Sequence, residues 1–398
     1  LGEEVVVTTE EPIDLRRLDV YPSEFGVDRQ IAALSEFVLR GSEEKKDPLF
    51  GRRDPAFGDG KTEGDAGREY VPNNERQNRA VARAVDAEDF ALIHGPPGTG
   101  KTYTIARLVR ALVASGERVL LSAYTNRAVD NALEALEEQG FTDFVRMGTE
   151  SGVREDMRDA LLCERGDPAT LAARLREAPV VAATTSTAGS RTMRQLDFDV
   201  AVVDEASQLA EPDALAAINR ADRFVLVGDH RQLPPVVRAE NDLATSLFER
   251  LIEEHPDAAV ALDRQYRMAQ AIQAFPSREF YGDELRPATG EVASRRVEDL
   301  ADASALPAGL QSPVSFVHVD GDGAGHTDAR EAERVAEIVE TYEAAGLARE
   351  DVGVIAPFRA QVAEIGKHVP DAVAVDTVDR FQGSSKEVIV ISFVATGS

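Results

Sequence analysis

The sequence predicts an α/β fold built from mostly parallel sheets with helices on both faces. Three observations predict it. From residue 70 onward, short apolar runs alternate with segments whose apolar residues recur at helical spacing, the pattern of strand–helix–strand units. The runs are near-continuous, as in strands buried on both faces. Between the run at 90–93 and the helical segment at 103–114 lies Gly95-Pro96-Pro97-Gly98-Thr99-Gly100-Lys101-Thr102, which matches a phosphate-binding loop at every fixed position. In such a loop the glycines let backbone N–H groups turn toward phosphate oxygens, and the helix N-terminus adds a favourable dipole. Lys101 is expected to reach the β- and γ-phosphates, and the Thr102 hydroxyl to hold Mg²⁺. An ordinary Gly/Pro turn would not require Lys and Thr after its last glycine.

The elements follow in order. Residues 1–69 are irregular and acidic, with one amphipathic helix expected at 28–39 and a loop or linker at 41–67. Strands are predicted at 90–94, 118–123, 179–183, 198–203 and 223–228. Residues 283–312, rich in Ala, Pro and charge, read as an inserted loop. A second alternating set follows: strand 314–319, helix 329–345, strand 352–356, helix 359–368, and strands 372–376 and 387–394. This divides the chain into an N-terminal segment, 1–69, and two units, 70–257 and 258–398. Only the first unit has a phosphate loop.

Composition bounds the rest. Hydrophobic residues make up 43% of the 398, enough for real cores, and no apolar run is long enough to span a bilayer. With Cys163 the only cysteine, the chain can form no internal disulfide and no cysteine-ligated cluster, which fits a cytoplasmic protein. The net charge is -27, and six lysines stand against 38 arginines. Taken alone, such acidity argues against nucleic-acid partners. In a cytosol at very high salt it does not: at about 1 M the Debye length is only about 3 Å, so global repulsion is screened while close arginine–phosphate contacts persist.

Two further segments carry chemistry. Asp204-Glu205-Ala206-Ser207 follows an apolar strand, and a carboxylate at the carboxyl end of such a strand lies where an open parallel sheet binds its ligands. Asp204 is the expected Mg²⁺ ligand, and Glu205 the group that orients and deprotonates the attacking water. Gly228-Asp229-His230-Arg231-Gln232-Leu233-Pro234-Pro235 follows another strand. There Gln232 is placed to sense a γ-phosphate, and Pro234 and Pro235 form a rigid turn suited to ligand contact.

By this point the chain resembles the superfamily 1 nucleic-acid helicases. The phosphate loop, the DEAS segment at 204–207 and the GDHRQLPP segment at 228–235 carry the likeness. Further segments fall in the same order: Gln265-Tyr266-Arg267-Met268, Pro357-Phe358-Arg359-Ala360-Gln361, and a TVDRFQG segment that begins at Thr377 and ends at Gly383. Upstream, Asn74 to Gln77 is similar to the adenine-reading segment. The likeness spans roughly 70–396. Within the family the chain is most similar to the nuclease-helicase of Okazaki-fragment maturation, with the up-frameshift RNA helicase as the nearest alternative.

The resemblance implies tandem RecA-like domains with parallel sheets, Mg-ATP hydrolysis between them, and 5′-to-3′ movement on single-stranded nucleic acid, DNA rather than RNA. It implies that Gln77 meets the base, that Gly95 through Thr102 and Gly383 meet the nucleotide, and that Lys101, Glu205, Gln232 and Arg267 act on the γ-phosphate. It assigns the strand to Tyr124, Thr125, Asn126, Thr184, Thr185, Pro234, Pro235, Phe358, Arg359 and Thr377. A monomer is expected, with a nuclease domain upstream in the full-length protein and the helix near Asp28 as the tail of a stalk. Two departures stand out. Ser384 and Ser385 follow Gly383, where relatives often place Arg and an acid. The family's last motif, with a second cleft arginine, is expected beyond the strand at 387–394, so the second domain reads as truncated at its C-terminus and better at binding ATP than at turning it over. Other classes remain open: a nucleic-acid-bound ATP switch, or an unrelated phosphate-loop ATPase such as a small-molecule kinase.

Overall fold

In a computed structural model of the chain, the described residues are 24–58, 69–162, 167–236, 242–320 and 325–394. The first sheet comprises β1 (Phe90–His94), β2 (Val119–Ala123), β3 (Phe144–Met147), β4 (Val180–Thr184), β5 (Phe198–Asp204), β6 (Ala221–Gly228) and β7 (Ala259–Ala261). Its seven strands run in the order β3-β4-β2-β5-β6-β1-β7, all parallel. A two-stranded ladder joins β8 (Arg264–Gln265) to β9 (Arg286–Pro287). The second sheet, in the order β11-β10-β12, holds β10 (Val352–Ala356), β11 (Ala374–Thr377) and β12 (Val388–Ile391), again parallel.

The helices before the phosphate loop are α1 (Glu24–Arg40), α2 (Glu43–Leu49) and α3 (Glu75–Val85). The first unit continues with α4 (Lys101–Ala114), α5 (Asn126–Glu138), α6 (Pro168–Glu177), α7 (Thr185–Ala188), α8 (Glu211–Ile218) and α9 (Leu247–Glu254). Beyond them lie α10 (Gln270–Phe280), α11 (Gly290–Ala293), α12 (Ala329–Ala344), α13 (Arg359–Ile365) and α14 (Val378–Phe381).

The continuous apolar runs are explained by two-sided burial. Along β1, Ala91 and Ile93 enter one core while Phe90 and Leu92 enter the other. Along β6, Val225 and Val227 alternate in the same way with Phe224 and Leu226. Phe90 stacks on Phe224 at 5.1 Å across the pair. Burying such a side chain contributes roughly 1.5–3 kcal/mol, so the central strands anchor the whole ligand-bearing edge. A third core, around Val354, Val339 and Ile365, lies under the second sheet.

Four expectations are corrected. Residues 43–49 form α2 rather than loop, because the Ser42 hydroxyl accepts the Lys45 N–H at 3.3 Å and acidic residues fill the first turn. Residues 259–261, assigned above to the second unit, form β7 and extend the first sheet along β1. Residues 283–312 are not a bare loop: β9, α11 and short 3₁₀ turns fold there, and Val297, Leu306 and Leu310 enter the third core. Residues 314–319 form no strand, and Val314 and Phe316 are 61% and 82% exposed. Their alternation suits a strand, but among the described residues no ladder partner lies beside them, and an unpaired strand is not stable in water. Part of the expected linker, 59–68, lies outside the described residues.

The helix expected at 28–39 is α1, and it packs on α8. Arg29 donates to Ser186 Oγ at 2.6 Å, Gln30 to Asp213 at 2.9 Å, and Arg220 pairs with Glu36. Phe37 and Ala33 bury beneath it.

Candidate active site

Register places the expected site residues along one edge. Ala123 stands between Thr184 and Asp204, and His94 stands beside Gly228. The residues that follow these strand ends, including the phosphate loop, therefore share the carboxyl edge of the sheet, where parallel α/β sheets bind ligands.

The phosphate loop runs from β1 into α4. Gly98 and Gly100 take φ of +74° and +76°, a region costly for residues with a Cβ. Gly100 caps α4 without a side-chain bond, so the first N–H groups of the helix are left for an anion. Lys101 folds back over Gly95 and donates to its carbonyl at 2.8 Å. A Cβ on Gly95 would lie 2.2 Å from the lysine Cγ. Thr99 is buried, with its hydroxyl on the Pro96 carbonyl at 2.7 Å. Gln77 is also buried, and its amide donates to the Thr99 carbonyl at 2.8 Å. The structure thus engages Gln77 in bracing the loop, whereas the sequence reading aimed it at the base. Asn74 caps α3 at Gln77 N–H and reaches the Tyr266 hydroxyl at 2.8 Å.

Asp204 ends β5 and is 5% exposed. Burial first, and then the charge of Glu205, push its carboxyl up to about 7, against the opposing pull of Lys101. Glu205 takes a left-handed backbone at φ 51°, strain of the kind that collects at functional sites. Its N–H is held by Asp204 Oδ1 at 2.8 Å and its carboxylate accepts from Gln208 at 3.0 Å. Two adjacent carboxylates near one lysine form an under-neutralised pair. That donor set fits a divalent cation, which would be held by Asp204 and Thr102 and would neutralise charge on bound phosphates.

Arg267 comes to the loop from the chain beyond β8. The Tyr266 N–H donates to the Gly98 carbonyl at 2.8 Å. The Gln265 side chain holds the turn, accepting from Arg267 N–H at 2.9 Å and Met268 N–H at 2.7 Å. A Cβ on Gly98 would lie 2.8 Å from Arg267 Cβ, so glycine there is what lets the arginine approach. Partial desolvation pushes the Arg267 pKa down, and among the described residues no carboxylate pairs with it. A solvent-exposed guanidinium with no carboxylate partner, held beside a phosphate loop, is a site prepared for anionic charge. A cavity of about 1810 Å³ opens past it, lined by Arg231, Gln232, Arg267, Arg295 and Gly383.

The residues assigned to the strand divide. Tyr124 is 47% exposed at the sheet edge. Thr125 caps α5 through Ala128 N–H at 3.2 Å, and the Asn126 side-chain Oδ1 accepts from Arg146 at 2.8 Å. Thr184 and Thr185 are buried, and Thr184 caps α7. The Thr184 hydroxyl is thus engaged with Thr187 instead of standing free at the edge. Pro234 is exposed and Pro235 buried. Phe358 stacks on His326 at 4.2 Å, Arg359 is exposed, and Thr377 ends β11 half-buried.

Sequence reasoning missed several residues. Arg146, completely buried, pairs with Asp130 at 2.8 Å. Arg127 donates to Ser384 Oγ at 2.6 Å and to the Gly383 carbonyl at 3.3 Å, bridging the two units. His94 and Tyr281 both donate to Asp229. Nothing in spacing signalled these pairs, because each joins residues far apart in the chain.

Comparison with known proteins agrees with this geometry. Two family models, each described as an AAA domain, match residues 72–167 with 164–240 and residues 243–398. A DNA replication ATP-dependent helicase/nuclease of Arabidopsis thaliana is 37% identical over 81% of this chain and 26% of its own length. The helicase/nuclease of Xenopus laevis is 36% identical over 81% of this chain and 34% of its own length. The chain therefore spans about a quarter to a third of these relatives. An uncharacterized ATP-dependent helicase of Methanocaldococcus jannaschii is 30% identical over 96% of this chain and 72% of its own length. With the ligand-bearing edge of its sheet and these similarities, the chain belongs to the superfamily 1 ATP-dependent helicases.

Proposed function

We propose that the chain is the ATP-hydrolysing motor core of a 5′-to-3′ DNA helicase acting in replication or repair, in a protein that also carries a nuclease domain. The observation that carries the reading is Arg267. It is solvent-exposed with no carboxylate partner among the described residues, and it stands against Gly98 of the phosphate loop, with Gln232 lining the same cavity. Mg-ATP bound on the loop would present its γ-phosphate to Lys101, Gln232 and Arg267, with Glu205 orienting the attacking water. Arg267 and Lys101 would stabilise charge as it develops, and Glu205 would take the proton. The strand would run over Tyr124, the Pro234–Pro235 turn, Arg359 and Thr377, contacts that position a backbone without reading its sequence. The names of the relatives support DNA over RNA. The net charge of -27 supports a cytosol at high salt, where short-range arginine contacts outlast screening.

ATPase activity at molar KCl tests this, with single-stranded DNA and RNA compared and a 5′-tailed duplex as unwinding substrate. Stimulation by DNA together with unwinding is expected. Stimulation without unwinding would indicate a switch, and ATPase activity indifferent to nucleic acid would overturn the reading.

A further inference from the structure

Asp229 is completely buried, yet it is the hub of the site. Its carboxylate accepts from His94 Nε2 at 2.9 Å, from Gln232 Nε2 at 2.6 Å and from the Tyr281 hydroxyl at 2.7 Å. It also accepts the Arg231 N–H at 3.1 Å, and its own N–H donates to Ser207 Oγ at 3.1 Å. Burial alone would push this carboxyl up. The donors and the charge of His94 outweigh burial and hold it at about 2. It is therefore a fixed anion that polarises every donor it holds.

The partners come from separate parts of the site. His94 immediately precedes Gly95 of the phosphate loop. Ser207 lies in the turn after Glu205. Tyr281 caps the C-terminus of α10, inside the small module that carries Arg267. Pairing of β8 with β9 closes that module, and Gln273 and Ser277 of α10 both donate to the Leu285 carbonyl, at 2.5 and 2.9 Å. One compact segment thus touches the site twice, at Gly98 through Tyr266 and at Asp229 through Tyr281. One N–H of Gln232 is committed to Asp229, which leaves its other N–H and its carbonyl for a ligand.

We propose that Tyr281 and Asp229 are positioning residues that tie the orientation of Gln232 to the seating of the module carrying Arg267, so that sensor and arginine engage the γ-phosphate together. This rests on the ATPase reading above. Neither residue touches the nucleotide; both act through Gln232.

Tyr281→Phe removes a single hydroxyl and is the direct test. Loss of a hydrogen bond to a charged group predicts a kcat reduced about tenfold with KM for ATP changed less than about twofold. In a Gln232→Ala background the same substitution should have no further effect, because the residue it acts through is gone. A readout independent of turnover is the ratio of the Kd for ADP to that for ADP with aluminium fluoride, a mimic of the transferring phosphoryl group, which should fall about tenfold in Tyr281→Phe. Asp229→Asn keeps the shape and should give the same split, so a soluble version of either variant suffices. A kcat and a nucleotide ratio both within twofold of the unsubstituted protein would overturn the proposal, as would full additivity with Gln232→Ala. If the unsubstituted chain hydrolyses no ATP, the functional reading fails, while the nucleotide ratio still decides the role of Tyr281.

Discussion

Replacing Arg146 by Met should destabilise the first unit far more than any surface arginine would. The Arg146 side chain is 0% exposed and that of its partner Asp130 is 2% exposed. Its Nε meets Asp130 at 2.8 Å, one terminal nitrogen meets Asn126 at 2.8 Å, and the other meets the Met147 carbonyl. Removing one member of such a pair leaves the other charge buried without compensation, a loss of about 3–5 kcal/mol. Asp130 keeps the Arg154 N–H at 2.9 Å, which places the expected loss at the lower end. At roughly 2–4 °C per kcal/mol for a unit of this size, the melting temperature should fall by about 6–12 °C. Thermal unfolding followed by circular dichroism measures it. The double variant Asp130→Leu with Arg146→Met should recover part of the loss, since no orphan charge remains. A single variant melting within about 2 °C of the unsubstituted chain would refute the reasoning.

Two further outcomes follow from the site. Gly98→Ala imposes a left-handed backbone worth about 1–2 kcal/mol on a residue with a Cβ and places that Cβ 2.8 Å from Arg267 Cβ; kcat should fall at least tenfold, and steady-state ATPase kinetics would expose an unaffected enzyme. Burial and the nearby charge of His94 push the His230 pKa down to about 4 from its ordinary 6.5, so the unfolded chain binds the extra proton first. The stability this neutral ring contributes is complete above about pH 6.5 and is lost as pH falls through 4. Asp204, pushed up to about 7, slopes the opposite way in the same range, so the measurement is the difference between the parent chain and His230→Asn. That difference should shrink by about 1–3 kcal/mol between pH 7 and pH 4, and a pH-independent difference would count against it.

Much of the first sheet was legible because its strands carry their own signal. Burial on both faces leaves runs such as Val200-Ala201-Val202-Val203 with no polar interruption. The phosphate loop was legible for a local reason, since its glycines, lysine and threonine are contiguous. What failed was information held by partners. Ala259–Ala261 is too short to announce itself and becomes a strand only through β1. Residues 314–319 have the alternation of a strand but, among the described residues, no neighbour to pair with. Gln77, Thr184 and Thr185 have polar side chains that could meet a ligand, yet each is buried, with Gln77 and Thr184 spent on bracing backbone. Asp229 was visible as a residue of its motif but not as a hub, because Tyr281 lies 52 residues away.

The most direct test of the account is Arg267→Ala. If this guanidinium stabilises charge on the transferring γ-phosphate, DNA-stimulated ATPase should fall on the order of 10³-fold, while the Kd for a non-hydrolysable ATP analogue stays within about threefold. A variant that hydrolyses ATP at the unsubstituted rate would contradict the claim that Arg267 completes the active site.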